Sequence, residues 1–377
     1  MSLRILQLNS ARLYVGEAAH TLNLTEALRR AGHTVVLGLR EGHQTIEYAR
    51  TRGLDPVPFH FASRWHPTRD LGDLKRLAAL VREHDIQLIH VHRGKEHWAA
   101  IFARKLHALK VPVVRTRHLT RPLKNHLANR WLAKRTARMI VVSRAVEADV
   151  RGSELYSEAH VAFIPGGIDL ERFRARGRRE AERERLGLPP GAPVAICVAR
   201  LAQVKAHGIL LDAWARVLPK HPGAVLVLAG FGVLWADLKA RVEREGFGTS
   251  VRMLGRVGAD TVPGLLEAAD VGVLASTGSE GFSRAVLEYM ALGLPVVATT
   301  VGAIPDLVAP GVSGKLAPPG DAGALAAALD ETFAADAAKR EAWGRAGRER
   351  AEADYGFAAW AAAHERLYRD VLDEPAV

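Results

Sequence analysis

The stretch DVGVLASTGSEGFSRAVLEYMALGLPVVAT, residues 270–299, decides the fold class of this 377-residue chain. It opens with the apolar run 271–275, continues after a short loop as a helical pattern over 284–292, and ends in a second apolar run, 296–299. Gly293 is placed to end the helix. Two short strands joined by a helix of this length must run parallel, because a parallel pair needs a crossover connection. The stretch therefore predicts an α/β fold with a parallel sheet.

The loop inside this stretch is the first candidate site. In parallel α/β sheets, ligands bind at the carboxyl ends of the strands. The first N–H groups of the following helix, near Phe282, Ser283 and Arg284, have no acceptor within the helix and favour an anion. Glu280 lies on the loop and Glu288 on the helix. We expect both carboxylates to reach the same cleft, one from the loop and the other from the helix.

Length and composition predict two domains. A chain of 377 residues with 48% hydrophobic content can bury two cores. The single cysteine, Cys197, lies inside an apolar run, so we expect a buried thiol in a reducing setting and no disulfide framework. The first strand begins at Leu3, and no apolar run approaches a membrane span. We therefore expect a cytoplasmic protein, attached at most to the inner face of a membrane.

The net charge of +11 is unevenly distributed along the chain. Residues 1–176 contain 30 Lys+Arg against 16 Asp+Glu, whereas residues 177–377 contain 22 against 25. Between Glu96 and Glu147 there are 12 basic residues and no acidic one. Such an uneven charge distribution is informative about binding partners rather than about the fold. The candidates are an anionic membrane, a phosphorylated acceptor and nucleic acid.

Part of this basic region has the pattern of an amphipathic helix, from Leu123 to Arg138. Leu123, Leu127, Trp131 and Leu132 would form its apolar stripe. One interpretation is a helix that faces the core and exposes a solvated basic face. The other is a surface that docks on anionic lipid, where each basic residue contributes about 1 kcal/mol.

The first half of the chain begins as a βαβ unit, with a strand from Leu3, a helix over 17–30 and a second strand over 34–39. It lacks the G-x-G-x-x-G fingerprint, so a nicotinamide cofactor is not expected. Further strands alternate with helices, as a doubly wound sheet requires. These strands are expected at 87–91, 111–115, 139–142 and 161–164.

Three histidines, His90, His92 and His97, cluster after the strand at 87–91. A metal site would need three well-placed ligands, and no Asp-x-Asp pattern accompanies these histidines. The sequence therefore predicts no metal site, and we expect no cofactor.

The glutamate pair carries a family resemblance. Glu280 and Glu288 are separated by seven residues and followed by Gly-Leu-Pro-Val-Val at 293–297. This arrangement resembles the E-x7-E signature of the GT4-type retaining glycosyltransferases, which have the GT-B fold. The stretch Ile-Pro-Gly-Gly-Ile-Asp at 164–169 is similar to the Ile-Pro-Asn-Gly-Val-Asp with which the family leaves its first domain, with Gly166 in place of Asn.

The resemblance implies an α/β GT-B fold, with two Rossmann-like doubly wound domains facing each other across a cleft. We expect an acceptor-side domain over residues 1–172 and a nucleotide-sugar-binding domain over 173–356. The charged segment 174–185 would separate the two. The last helix, within 357–377, would pack back on the first domain.

The resemblance also assigns roles around the bond that breaks. Arg200 and Lys205 follow the strand 194–199 at the spacing of the basic pair that holds the donor diphosphate in the family. Fixed cations suit this position, because the leaving diphosphate gains negative charge as the glycosidic bond breaks. Glu280 would bind hydroxyls of the transferred sugar, and Glu288 would bind the ribose hydroxyls.

Further positions match the family with some departures. His118 matches a histidine that contacts the donor sugar or orients the acceptor. Gly16 keeps the second glycine of a Gly-Gly-x-Glu loop, with Val15 in place of the first; Ala206 replaces a glycine, and Phe231 an aspartate. The implied catalytic set is Glu280, His118, Arg200 and Lys205. The implied donor-binding set is Gly16, Arg200, Lys205, Arg256, Val257, Gly281, Phe282, Ser283 and Glu288.

The function implied is metal-independent transfer of a sugar, with retention, from a nucleotide diphosphate sugar to an acceptor hydroxyl. UDP is expected as the carrier, and a lipid-linked or lipopolysaccharide-type glycan as the acceptor, with peripheral membrane contact through the basic region 104–138. The leaving diphosphate would take the acceptor's proton during attack on the same face.

Two alternatives remain: a nucleotide-sugar epimerase of the same fold, and a nucleic-acid-binding protein suggested by the pI near 10. The chain lacks an aromatic-interleaved RNA motif or a recognition-helix signature, so no nucleic-acid partner is expected.

Overall fold

A computed structural model describes residues 2–374, apart from residues 15, 63–65 and 279. The described chain divides into two compact units. Unit 1 comprises the residues up to Gly167 and those from Phe357 onwards, and unit 2 comprises Ile168–Gly356. The first division falls five residues before the boundary expected from the sequence.

Unit 1 contains a sheet of seven parallel strands among the described residues, with helices in the connections. Its strands are β1 Arg4–Asn9, β2 Thr34–Arg40, β3 Val57–Phe59, β4 Leu88–Val91, β5 Val113–Arg117, β6 Arg138–Val141 and β7 Val161–Phe163. Their spatial order is β3-β2-β1-β4-β5-β6-β7. Its helices are α1 Gly16–Arg30, α2 Gln44–Thr51, α3 Pro67–Glu83, α4 Gly94–Leu106, α5 Leu127–Ala133 and α6 Arg144–Arg151.

Unit 2 contains a second parallel sheet, of six strands among the described residues. The strands are β8 Val194–Val198, β9 Val225–Ala229, β10 Val251–Gly255, β11 Val271–Leu274, β12 Val296–Thr299 and β13 Gly314–Ala317, in the order β10-β9-β8-β11-β12-β13. The helices, in chain order, are α7 Arg179–Arg185, α8 His207–Val217, α9 Trp235–Arg244, α10 Val262–Glu267, α11 Arg284–Ala291, α12 Ile304–Leu307, α13 Ala322–Ala334 and α14 Ala337–Arg350. A π-helical turn over Ala351–Tyr355 follows.

The stretch that opened the sequence analysis folds as β11-α11-β12, and its two strands pair in parallel. Gly293 has φ +72° and ends the helix in a Schellman motif: its N–H donates to Met290 O, and the N–H of Leu294 donates to Tyr289 O. Tyr289 packs on the strand, where a Cβ at Gly272 would lie 2.3 Å from its ring. The predicted crossover is confirmed.

The last helix, α15 Phe357–Asp373, belongs to unit 1. Trp360, Tyr368 and Val371 join a buried cluster with Ile5 of β1 and Leu28 of α1. The approach is close, because a Cβ at Gly167 would lie 2.2 Å from the Trp360 ring. Residues 375–377, which the sequence assigned to this helix, lie outside the described residues.

The long basic helix expected over Leu123–Arg138 is wrong. Only α5, seven residues long, is helical there; it begins after His126, whose ring accepts from the N–H of Asn129, and Arg138 already opens β6. Leu127, expected on the apolar stripe, is 82% exposed. The stripe fails because the helix is short: Leu132 and Ala133 are its buried residues, and Trp131 is partly buried against the core of unit 1.

The charged segment 174–185 is not a bare linker. Its second half forms α7, which is tied to unit 2: Arg179 donates to Asp270 at 2.6 Å, and the buried Arg183 donates to the carbonyls of Ala268 and Ala192. These hydrogen bonds engage backbone carbonyl groups at the end of α10 and before β8. The segment is therefore part of the structure of unit 2.

Two parallel doubly wound sheets confirm the predicted fold class. In each sheet the strand order reverses between two neighbours, β1 and β4 in unit 1 and β8 and β11 in unit 2. Ligands of open α/β sheets bind beyond the carboxyl ends of the strands at such a reversal point. Among the described residues, no helix is both long and apolar enough to cross a bilayer.

Candidate functional site

Glu280 lies at the reversal point of unit 2, beyond the end of β11. Its side chain is 3% exposed, Ser276 Oγ donates to Oε1 at 2.6 Å, and Lys205 Nζ contacts the same oxygen. Lys205 comes from the 3-10 turn Gln203–Lys205 that follows β8. The structure thus brings two predicted site residues into an ion pair that the sequence analysis did not predict.

Three hydrogen bonds hold the Glu280 loop in place. The N–H of Thr277 donates to Val204 O at 2.9 Å, Thr299 Oγ1 donates to Ser276 O at 2.5 Å, and the N–H of Ala303 donates to Glu280 O at 2.7 Å. One bond involves the loop after β8, and the other two come from the end of β12 and the loop that follows it. The position of Glu280 is therefore fixed by the loops after β8 and β12 as well as by its own.

Gly302 permits the last of these bonds. It has φ +58°, and a Cβ added there would lie 1.9 Å from Glu280 O. A side chain at this position would both strain the backbone and displace the Glu280 carbonyl.

Glu288 is buried on α11, eight residues after Glu280 in the chain. Arg284 Nε lies 3.0 Å from Glu288 Oε1, so the two residues form an i,i+4 ion pair on α11. Burial raises the pKa of Glu288, and the nearby charges of Arg284 and Arg172 oppose that rise. Sequence reasoning missed Arg172, whose guanidinium also lies 3.2 Å from Asp260. It carries no motif of its own, so only the fold reveals it.

Ser283 occupies the N-cap position of α11 without capping the helix. The residue is 1% exposed, and its Oγ has no hydrogen-bond partner among the described residues. A buried hydroxyl without a partner is costly unless a ligand or water completes it. Gly281 beside it is buried and Phe282 is half-buried against the core of unit 2.

The loops after β8 and β9 approach each other closely. A Cβ at Gly230 would lie 1.9 Å from Ala199 O, and one at Gly232 would lie 2.2 Å from Leu201 O. Only glycine fits at either position. The two loops are packed backbone against backbone, which fixes the path of the chain on either side of Arg200, an exposed residue.

Phe231, which stands where the family has aspartate, presents an exposed aromatic face. Its ring centroid lies 5.5 Å from that of Trp235, and the Arg256 guanidinium lies 5.8 Å from the Phe231 centroid. Val257, next to Arg256, is half-buried and packs against the core of unit 2. Ala206, which replaces a glycine, has φ +48°, a left-handed conformation that glycine adopts at lower cost.

In unit 1, Gly16 is the exposed first residue of α1, and a Cβ there would meet nothing within 4 Å. Val15, the residue that departs from the family's first glycine, lies outside the described residues. The described residues therefore leave open space at the position of a Gly16 side chain.

His118 follows β5 and is buried. Burial, followed by repulsion from Arg115 and Arg93, lowers the pKa of His118 to about 3. Its Nε2 lies 3.2 Å from Nδ1 of His92, which follows β4. At neutral pH the imidazole is therefore uncharged and can act as a neutral hydrogen-bonding group.

The fold separates His97 from the other two histidines that were grouped by sequence spacing, whereas the ring centroids of His90 and His92 lie 4.4 Å apart. His97 Nε2 pairs with Thr136 Oγ1 at 2.8 Å, while its Nδ1 lies 3.0 Å from an Arg115 nitrogen. His90 is held between Tyr368 and Thr116, at 2.7 Å each. Both ring nitrogens of His90 and of His97 therefore have protein partners, whereas Nδ1 of His92 contacts His118.

The basic region of unit 1 carries an aromatic stack. Trp131 of α5 stacks on Trp98 of α4, with ring centroids 5.8 Å apart, and lies tilted against Phe102 of the same helix at 5.7 Å. The Arg135 guanidinium lies 4.1 Å from the Trp131 ring centroid. Phe102 and Leu106 remain exposed beside it, and this aromatic stack with its basic neighbours is called the basic aromatic face below.

Comparison with known proteins places the chain in a family. Residues 15–172 match the family model described as Glycosyltransferase Family 4, and residues 192–334 match the one described as Glycosyl transferases group 1. The chain is 32% identical over 314 residues to D-inositol 3-phosphate glycosyltransferase 2 of Catenulispora acidiphila, covering 76% of this chain and 71% of that protein.

Solved structures share the fold at low sequence identity. A glycosyltransferase from Rickettsia africae superimposes with a TM-score of 0.87 at 18% identity, covering 99% of this chain and 100% of that one. HepE of Anabaena, solved in complex with UDP, gives a TM-score of 0.83 at 20% identity, covering 98% and 100%. On the two family matches and the Catenulispora relative, the chain belongs to the GT4 glycosyltransferases of the GT-B fold and is a glycosyltransferase.

Proposed function

We propose that this enzyme transfers a sugar, with retention of configuration and without a metal, from UDP-sugar to a hydroxyl of a phosphate-bearing, lipid-linked acceptor. The observation that carries the proposal is the group at the reversal point of unit 2. There Lys205 and the Ser276 hydroxyl meet on Glu280, beyond the ends of β8 and β11. The lysine cation suits the diphosphate of a nucleotide sugar, and the carboxylate suits the hydroxyls of its sugar.

The chemistry follows from these charges. The ammonium group of Lys205 has three donors and can bind Glu280 and a phosphate oxygen together. As the glycosidic bond breaks, the leaving diphosphate gains negative charge, which Lys205 and Arg200 stabilise without reorganisation. Glu280, held as an acceptor, binds the hydroxyls of the sugar. No nucleophile is required, because the acceptor attacks the face that the diphosphate leaves and the diphosphate takes its proton.

The rest of the donor site follows from its neighbours. Ser283 offers an unpartnered hydroxyl at the start of α11, suited to a phosphate oxygen. Glu288 would accept hydrogen bonds from the ribose hydroxyls, and the backbone beside Arg256 and Val257 would line the base. UDP is proposed because it is the common carrier of the family, and HepE was solved with UDP.

A thermal-shift panel tests the donor assignment. UDP, GDP and ADP are each added to the full chain at increasing concentration, and the melting temperature is recorded. We expect UDP to stabilise most, since saturation at 100 times Kd adds about 2.7 kcal/mol. Glu288→Gln should weaken that shift, whereas the exposed Lys239→Gln serves as the control. No shift with any of the three nucleotides would contradict the proposal.

The acceptor side is supported by unit 1. Its basic charge suits a phosphate-bearing acceptor, and the Catenulispora relative is named for D-inositol 3-phosphate. His118, buried and neutral, would hydrogen-bond the sugar or orient the attacking hydroxyl. Phosphorylated and unphosphorylated cyclitols, offered with UDP-sugar in a product assay, separate a phosphate-dependent acceptor from other hydroxyls.

Gly302→Ala is expected to lower kcat about 10²-fold, the usual cost of a misplacement of about 1 Å at an active site. The added Cβ would meet Glu280 O and push the loop out of position. Gly320→Ala is the matched control: Gly320 also has a positive φ, +81°, but a Cβ there touches nothing within 4 Å. Steady-state kinetics on both variants decides the matter. Equal losses of kcat would mean that backbone strain alone, rather than Glu280, was responsible.

Membrane contact is proposed at the basic aromatic face. Indole rings and cations together suit the interface of an anionic bilayer, where aromatic rings sit at headgroup level. Exposed Lys105 of α4 and Lys134 after α5 flank the stack, since α4 and α5 are joined there by a hydrogen bond from Arg104 to Arg135 O. This face, in place of the long helix expected from the sequence, would bring the enzyme to a lipid-linked acceptor.

Replacing Lys105 and Lys134 together by glutamine should weaken binding to vesicles containing anionic lipid about 30-fold, because each contributes about 1 kcal/mol near such a surface. Co-sedimentation with vesicles measures the loss. A double variant of unit 2, Lys239→Gln with Arg244→Gln, removes the same charge from exposed positions elsewhere. If that control loses as much affinity, net charge and not this face governs the binding.

A further inference from the structure

Three histidines from separate segments of unit 1 converge at the carboxyl edge of its sheet. His20 lies on α1, His92 follows β4 and His118 follows β5. All three side chains are buried. One ring nitrogen from each lies within 4.8 Å of the others.

The spacing fits a single transition-metal ion. His92 Nδ1 and His118 Nε2 are 3.2 Å apart, and the ring centroids of His20 lie 4.5 Å from His118 and 5.8 Å from His92. A tetrahedral zinc ion holds imidazole nitrogens at about 2.0–2.1 Å, which places the nitrogens about 3.4 Å from one another. The His92–His118 separation already matches this value, and the three nitrogens together lie within 4.8 Å of one another.

A second residue orients one of the ligands. His92 Nε2 lies 3.3 Å from Oε1 of the buried Gln7, and an amide oxygen can only accept a hydrogen bond. The proton of His92 is therefore on Nε2, which leaves the Nδ1 lone pair directed towards His118. Metal-binding histidines are commonly fixed by such a partner on the far nitrogen.

The protonation state also suits a metal. Burial lowers the pKa of His20, His92 and His118, so all three are neutral at pH 7, as a metal ligand must be. The charges of Arg93 and Arg115 also lower the pKa of His118, and they would repel a bound cation. That repulsion favours an anion, such as hydroxide or chloride, in the fourth position.

We propose that His20, His92 and His118 form a binding site for Zn²⁺ or a similar borderline metal ion, with three imidazole ligands and an open fourth position. The ion would coordinate the His118 imidazole that glycosyl transfer is proposed to use. Occupancy therefore inhibits transfer, and this consequence, unlike the binding itself, rests on the proposed function.

Cobalt(II) is the probe for binding, because its tetrahedral complexes absorb visibly. Tag-free full-length protein is titrated with CoCl₂, and zinc is then added to displace the cobalt. We expect one equivalent of cobalt with a tetrahedral spectrum. His92→Gln should weaken binding about 100-fold or more, and Gln7→Leu, which removes only the orienting partner, about 10- to 100-fold.

His84→Gln is the control, since His84 is exposed at the end of α3 and belongs to no cluster described here. Circular dichroism without metal verifies that each variant is folded, and Gln7→Leu supplies the test if His92→Gln is not. Absence of a stoichiometric tetrahedral spectrum, or equal affinity in His92→Gln and His84→Gln, overturns the proposal. Stoichiometric binding without inhibition of transfer would keep the site and instead remove His118 from the proposed reaction.

Discussion

Lys205→Ala is expected to lower kcat about 10²- to 10³-fold, the usual loss when one charge-stabilising group is removed from a reacting centre. The ammonium group would no longer neutralise the departing diphosphate. The variant should also be less stable, because Glu280 is 3% exposed and would lose the cation that contacts it. Removing one partner of a buried ion pair costs about 3 kcal/mol.

Two further variants separate the kinetic loss from the structural one. Arg200→Ala should lower kcat to a similar extent with little change in stability, because Arg200 is exposed and its removal leaves no buried charge behind. Lys205→Ala combined with Glu280→Gln should recover the melting temperature and remain inactive. Rapid-quench kinetics and thermal unfolding measure both quantities. A kcat for Lys205→Ala near that of the wild type would remove Lys205 from the transfer step.

Acidification from pH 7 to about pH 5 is expected to unfold unit 1. Six histidines are buried there with pKa values lowered by desolvation: His20, His90, His92, His97, His118 and His364. The pKa of His118 falls to about 3 and that of His364 to about 4. In the unfolded chain these groups titrate near pH 6.5, so below that pH the unfolded state binds more protons and stability falls. Their contribution is fully present above about pH 6.5 and is lost towards pH 4.

Three carboxyl groups oppose this loss. Burial raises the pKa of Glu17 to about 7, against the opposing charge of Arg93, and burial also raises the pKa values of Glu96 and Asp73. These groups bind protons in the folded state between their unfolded and folded pKa values, so their contribution grows as the pH falls. A net uptake of about three protons on unfolding corresponds to about 4 kcal/mol per pH unit. A typical domain is stable by only 5–15 kcal/mol, so roughly two pH units suffice.

Hydrogen exchange followed by mass spectrometry measures this transition unit by unit. Peptides of β4, β5 and α15 should lose protection as the pH falls below about 6, ahead of peptides from unit 2. His364→Gln should reduce the pH dependence by about one proton, whereas exposed His84→Gln should leave it unchanged. Unchanged protection of unit 1 down to pH 5 would show that the histidines titrate freely in the folded state.

The sequence by itself determined the parallel α/β architecture and the place of the two glutamates. The strand–helix–strand pattern of residues 270–299 is local, and Gly293 ends the helix through backbone geometry that its own sequence allows. Local periodicity specifies secondary structure wherever one face is buried, and a short crossover requires parallel strands. For the same reason Glu280 and Glu288 could be assigned to the carboxyl edge of the sheet.

Only the tertiary structure decided which distant side chains meet. Lys205 and Glu280 are 75 residues apart and come together because β8 and β11 are neighbours at the reversal of strand order. His20, His92 and His118 meet because β4 lies between β1 and β5, whereas sequence spacing had grouped His92 with His90 and His97.

The basic region of unit 1 shows the same division between what the sequence determines and what the tertiary structure decides. Its charge was evident from composition, but the long helix was wrong, because Trp131 finds its contacts on α4 and not along its own helix. The hydrophobic periodicity of the sequence indicates which residues a single helix or strand can bury. Long-range strand order and packing decide what those residues touch, and no local pattern encodes that order.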